Sequence, residues 1–97
     1  MDLAKELKVA MNTGKVEIGY RTTIKAINRK HAKLIIMASN IPEKMAIKIK
    51  QAAGNSIPIF TFPGSSWDLG SVCGRPHTIT SIAIIDPGES SILEEVK

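Results

Sequence analysis

Gly19-Tyr20-Arg21-Thr22-Thr23, with Lys25 one helical turn beyond Arg21, is the segment whose residue types point most directly to chemistry. A glycine lets the main chain approach a ligand closely. A helix starting just after it would offer free N–H donors and a positive dipole end, and Arg21 and Lys25 would add full charges. Such a constellation positions phosphate; a plain strand-to-helix turn with solvated cations is the other reading, and the segment alone leaves both open. Asn40 is a second point of interest. Its amide carries a donor and an acceptor side by side, which suits a base edge, and it could equally cap a helix entered through Ile41-Pro42. The third is Gly74-Arg75-Pro76-His77-Thr78, where His77 could stack on an exposed base with Ile79 packed behind it, or could be a lone surface histidine.

The chemistry that is missing narrows the choice further. The chain has no Walker loop, no Gly-x-Gly-x-x-Gly, no His-Glu-x-x-His and no Cys-x-x-Cys. His31 and His77 are the only imidazoles, and His31 reads as a partly buried or capping residue at the end of a helix. The one cysteine, Cys73, has no base predicted beside it and reads as a small core residue. Being single, it excludes an internal disulfide and a structural zinc cluster and favours a reducing, intracellular compartment. No catalytic residue, metal or cofactor is therefore expected. A small enzyme or phosphometabolite-binding α/β domain using the Gly19 turn is the competing class, which a screen of nucleotides and sugar phosphates would separate.

These three segments must be held by elements that the hydropathy pattern outlines. Asp2 can cap a first helix with Leu3, Leu7, Ala10 and Met11 on one face, ended by Thr13-Gly14. Lys15 to Ile18 alternates as a half-buried strand and stops at Gly19. Tyr20, Ile24, Ile27 and His31 form the apolar stripe of a second helix, with Arg21, Lys25 and Asn28/Arg29 on a neighbouring face. Lys33-Leu-Ile-Ile-Met-Ala38 is an almost unbroken apolar run of strand length that predicts a central strand covered on both sides. Pro42 suits the first turn of a third helix, with Met45, Ala46, Ile49, Ala52 and Ala53 inward, Lys44, Lys48 and Gln51 outward, and Gly54 as its cap. Ile57 to Phe62 reads as an edge strand because Pro58 lacks a ladder donor. Ser65-Ser66-Trp67-Asp68 starts a short capped helix that ends near Gly74, and Ile79 to Ile85 is the last strand. Asp86-Pro87-Gly88 turns the chain into a tail that adds a short strand or a helical turn. Helix and strand thus alternate throughout, which predicts an α/β, single-domain, three-layer α-β-α sandwich on a small mixed four-stranded sheet spanning residues 1–97.

Composition agrees with one core. Ninety-seven residues with 43% hydrophobic and 23% charged side chains exclude disordered, collagen-like and low-complexity classes. No apolar run approaches a membrane span, so no membrane partner is expected. Residues 1–50 hold 11 Lys/Arg against 4 Asp/Glu, whereas residues 51–97 hold 2 against 5. Between Arg21 and Lys50 eight cations meet the single acid Glu43, a distribution that can supply a field for a polyanion. Phe60, Phe62 and Trp67 read as core residues, which argues against a sheet that stacks many bases.

Val16-Glu-Ile-Gly-Tyr-Arg-Thr-Thr23, Ala32-Lys-Leu-Ile-Ile-Met-Ala-Ser-Asn40, Leu69-Gly-Ser-Val-Cys-Gly-Arg-Pro-His-Thr78 and Asp86-Pro-Gly-Glu-Ser90 together resemble the L-thirty-e family of large-subunit ribosomal proteins, its archaeal branch most of all. The likeness runs in order along nearly the whole chain. It implies the three-layer fold, a structural place in the large ribosomal subunit of the cytoplasm, and neighbouring ribosomal proteins as partners. It also implies binding to kink-turn or purine-rich internal-loop rRNA, without enzymatic activity. On this sequence the implied RNA-binding set is Gly19, Tyr20, Arg21, Thr22, Lys25, Asn28, Asn40, Arg75, Pro76, His77, Thr78 and Ile79; His77 stands where eukaryotic relatives carry a large aromatic residue. A kink-binding role in another ribonucleoprotein, or on its own messenger RNA, is the alternative. A monomer outside the ribosome is expected, since no long apolar stripe is left over once the core faces are assigned.

Overall fold

The structure, a computed structural model, describes residues 3–95. The expected Asp2 cap lies outside the described residues. The elements run α1 (Leu3–Thr13), β1 (Lys15–Ile18), α2 (Tyr20–Asn28), β2 (Leu34–Met37), α3 (Glu43–Ala53), β3 (Ile59–Thr61), α4 (Ser66–Val72), β4 (Ser81–Asp86) and α5 (Ile92–Glu95). The strands order β1-β4-β2-β3, with β4 antiparallel to both neighbours and β2 parallel to β3. The sheet is therefore mixed, and Pro58 precedes an edge strand as its missing N–H requires.

Strand periodicity explains the layers. In β2 all four residues are buried, because Leu34 and Ile36 point to one face while Ile35 and Met37 point to the other. The first face joins Ile82 and Ile84 of β4 to Leu3, Leu7 and Ala10 of α1, Leu69 and Cys73 of the α4 region, and Ile92 of α5. The second joins Ala83 to Ala26 and Ile27 of α2 and to Ile49 and Ala53 of α3. Each buried Leu or Ile removed from water contributes about 1.5–3 kcal/mol, so both faces hold their helices. The tail forms a helical turn tied back to α1 by the Ser91 N–H donating to Glu6 Oε1 at 2.6 Å.

Several expectations need correction. α2 ends at Asn28, so His31 falls in the following loop, is exposed, and is not part of the apolar stripe. The chain turns there through Lys30 at φ 60°, with Lys30 N–H donating to the Ile27 carbonyl at 2.9 Å and His31 N–H to Ala26 at 3.0 Å. That pairing is a Schellman termination, with a lysine where glycine is usual. Ala52 is exposed, since α3 rests on the sheet through Ile49 and Ala53. Trp67 is 63% exposed and not a core residue. The last strand begins at Ser81, because Ile79 is held by α4 through its N–H to the Ser66 carbonyl at 2.9 Å.

Candidate nucleic-acid interface

The three segments singled out by residue type meet at one rim of the sheet. β1, β2 and β3 all end there and β4 begins there, as the register shows: Ile18 lies opposite Ile82, and Met37 lies opposite both Ser81 and Thr61. Hydrogen bonds then stitch the loops sideways. Gly19 N–H donates to the Ser81 carbonyl and Ala38 N–H to that of Thr80, each at 2.9 Å. Ser39 donates to the Gly64 carbonyl through its N–H at 2.9 Å and its hydroxyl at 2.7 Å. Ser66 N–H donates to Asn40 Oδ1 at 2.7 Å. Asn40 therefore caps no residue of α3, whose N-cap is Pro42; it reaches across to α4 instead. Its Oδ1 is committed to protein, and its Nδ2 meets no acceptor among the described residues.

Gly19 sits at φ 107° and ψ 158°, a conformation open essentially to glycine alone. Its carbonyl accepts from the Thr23 N–H at 2.9 Å and from the Thr23 hydroxyl at 2.7 Å. Thr22 Oγ1 lies 2.6 Å from the Ile18 carbonyl and 3.0 Å from that of Gly19. Thr23 is fully buried and accepts from the Ser81 hydroxyl at 3.1 Å, which locks the start of α2 onto β4. Sequence reasoning missed this Thr23–Ser81 pair; its signal was a small hydroxyl residue at an inward position of each element. Helical spacing then splits the neighbours of the turn. Tyr20, Arg21, Ile24 and Asn28 line an open groove of about 570 Å³ with Lys48, Gln51 and Ala52 of α3. Thr22, Lys25 and Arg29 line a hollow of about 250 Å³ beside Lys15 and Glu17 of β1.

The loop from Gly74 to Thr78 is seated by α4. Arg75 N–H donates to the Gly70 carbonyl at 2.9 Å, and a Cβ at position 70 would collide with the His77 carbonyl oxygen. Gly70 is thus the residue that lets the loop lie flat on the helix. His77 is exposed, and its Nδ1 is 3.1 Å from the Thr78 carbonyl oxygen. A carbonyl only accepts, so this contact is a hydrogen bond in the tautomer with the proton on Nδ1, which leaves Nε2 as the second polar atom of the ring. Burial, partly opposed by the nearby Arg75 charge, pushes the Cys73 thiol up to about 11, so it stays protonated and inert at neutral pH.

Of the residues named from the sequence, Gly19, Tyr20, Arg21, Thr22 and Asn40 sit on or next to the rim, while the 74–78 loop runs back along α4, from Arg75 beyond its C-terminal end through Pro76, His77 and Thr78 to Ile79 at the rim. Lys25 is one turn down α2. Asn28 is at the far end of that helix, about 13 Å along its axis from Gly19 at 1.5 Å per residue. Ile79 is 2% exposed and supports the loop from beneath. Among the described residues no group of three or more His, Cys, Asp or Glu could hold a metal ion, and no helix is long and apolar enough to cross a membrane.

Fold and rim together define a small α-β-α protein that gathers loops at one end of the sheet and exposes most of its cations on the α2/α3 face. A profile of the ribosomal protein L7Ae/L30e/S12e/Gadd45 family matches residues 1–94, and the chain belongs to that family. It is 47% identical to large ribosomal subunit protein eL30 of Pyrobaculum calidifontis, over 100% of this chain and 97% of that protein. With the eL30 of Methanothermobacter thermautotrophicus it shares 45% identity over 99% of each chain. With that of Methanopyrus kandleri it shares 38% over 99% of this chain and 89% of the other. These relatives are named for a place in the ribosome and none for a reaction, in line with the expectation of no enzymatic activity. A protein of unknown function from Bacillus halodurans superposes with a TM-score of 0.84 at 23% identity, over 98% of this chain and 95% of that one, a likeness of fold alone.

Proposed function

We propose that this protein is a structural constituent of the large ribosomal subunit in the cytoplasm. In this reading residues 1–97 act as one RNA-binding domain that grips a kinked, purine-rich internal loop of rRNA through the rim, beside neighbouring ribosomal proteins, and the free protein is a monomer. The observation that supports the reading is the convergence of Gly19, Asn40 and Ile79, the residue at which the 74–78 loop ends, through the Gly19–Ser81, Asn40–Ser66 and Ser66–Ile79 hydrogen bonds. A kinked RNA crowds phosphates and splays out bases, so it asks for close main-chain approach, cations and groups that read or stack on bases. Gly19 supplies the approach. Arg21, Lys25 and Arg75 face phosphate, the unpaired Nδ2 of Asn40 donates to a base acceptor, and His77 stacks on a base.

Gel-shift titrations of a kink-turn RNA and of a straight duplex across a salt series test this. Preference for the kinked RNA is expected, with each neutralised phosphate contributing about −0.7 to −0.9 to the log–log salt slope. Arg21→Ala should cost about 1.5–3 kcal/mol of affinity, as for a charged hydrogen bond, with an unchanged melting temperature. Equal binding of both RNAs at every salt concentration would rule out kink recognition.

A further inference from the structure

Trp67 is the one tryptophan of the chain and is 63% exposed. Helical spacing explains why: Ser66, Leu69 and Gly70 are the buried positions of α4, and Trp67 lies two residues, about 200°, around from Leu69. What surrounds it on the backbone gives the exposure a meaning. Ser66, its immediate neighbour, holds both Asn40, through its N–H, and Ile79, through its carbonyl. Position 67 is therefore one residue from the point where two of the three rim loops are joined. In a helix the Cα–Cβ bond tilts toward the N-terminus, and the N-terminus of α4 is its rim end. The adjacent acid does not oppose a polyanion freely, because Asp68 accepts from the Ser65 N–H at 2.9 Å and the Ser65 hydroxyl at 3.1 Å.

An indole left in water exposes a large flat apolar surface. The other large apolar side chain that is exposed among the described residues, Ile47, sits on α3 under the opposite face of the sheet. Trp67 is thus a single flat ring beside Ser66 and Asp68 at the rim end of α4, not part of a contiguous apolar patch of the sort that a protein partner covers. The ligand proposed for the adjoining rim, an RNA whose bases are partly unstacked, carries the planar rings that an exposed indole can stack on. We propose that Trp67 is a stacking platform for a splayed base of the RNA bound at the rim, supplementing His77. This rests on the RNA reading above.

The test uses the full chain and a kink-turn RNA, followed in parallel by tryptophan emission and by gel shift. Emission should be quenched saturably with the same midpoint as the shift. Trp67→Ala should weaken binding about 5- to 150-fold, the equivalent of one lost base–aromatic stack, with an unchanged thermal melt because the ring is outside the core. Trp67→Phe should recover most of the loss. A normal shift with unquenched emission, together with unaltered affinity of Trp67→Ala, overturns the stacking role and leaves the RNA reading standing. Failure of the unaltered protein to shift the kinked RNA overturns both.

Discussion

The two faces of the sheet are built differently. Under α1, α4 and α5 the described residues form a cluster of thirteen buried side chains, with Leu3, Leu7, Leu34, Ile36, Leu69, Ile82, Ile84 and Ile92 among them. Under α2 and α3 the cluster has eight, four of which are alanines. The outer surfaces differ in the reverse sense: α2 and α3 expose Arg21, Lys25, Lys44, Lys48 and Lys50, whereas the α1/α4/α5 side mixes Lys5 and Lys8 with Asp68 and Glu94. Stability is concentrated on one face and positive charge on the other, and the rim is where the two meet. The division lets a strongly cationic surface exist on a domain of this size, since self-repulsion on one side is offset by apolar burial on the other.

The largest expected effect sharpens the contrast in stability. Leu69→Ala, at a fully buried position of the large cluster, should cost about 2–5 kcal/mol in urea unfolding at an unchanged m value. A loss under about 1 kcal/mol would mean that the site collapses freely and that the α1/α4/α5 face carries less than its burial implies. A middle-sized effect belongs to the junction. In Gly19→Ala the added methyl meets only Thr22 Oγ1 at 3.5 Å, so the penalty is backbone strain of about 1–3 kcal/mol rather than a clash. Because the same turn approaches the ligand, RNA affinity should fall together with stability. Unchanged melting with intact binding would show that the turn relaxes without consequence.

The smallest effect has the opposite sign. Lys30 holds a left-handed conformation at the end of α2, where glycine would be unstrained, and it is exposed. Lys30→Gly should stabilise the fold by about 1 kcal/mol while removing one cation from the basic side. A stabilised variant with weaker RNA binding would show this face holding charge at the expense of stability. A destabilised one would break the contrast at that point.

Much of the architecture was legible locally. The apolar run of β2, the proline that confines β3 to an edge, the Ser65/Asp68 capping box and the glycine-centred turn each follow from neighbours within four residues, and each is present. The failures share a cause. His31, Ala52 and Trp67 all continue an apolar or helical pattern on paper, but whether such a residue is covered depends on where the helix ends and on what lies above it. Asn40 was weighed as a cap for the helix that follows it in the chain; it caps one that begins 26 residues later.

By itself the sequence determined the order of helices and strands, the family and the imbalance of charge, because side-chain periodicity and residue type act over a few positions of chain. Only the tertiary structure decided that Gly19, Asn40 and Ile79, where the His77 loop ends, share a rim, that Thr23 pairs with Ser81 across 58 residues, and that the sole indole stands in water. Those outcomes depend on strand register and helix placement, which are set by contacts between segments far apart in the chain.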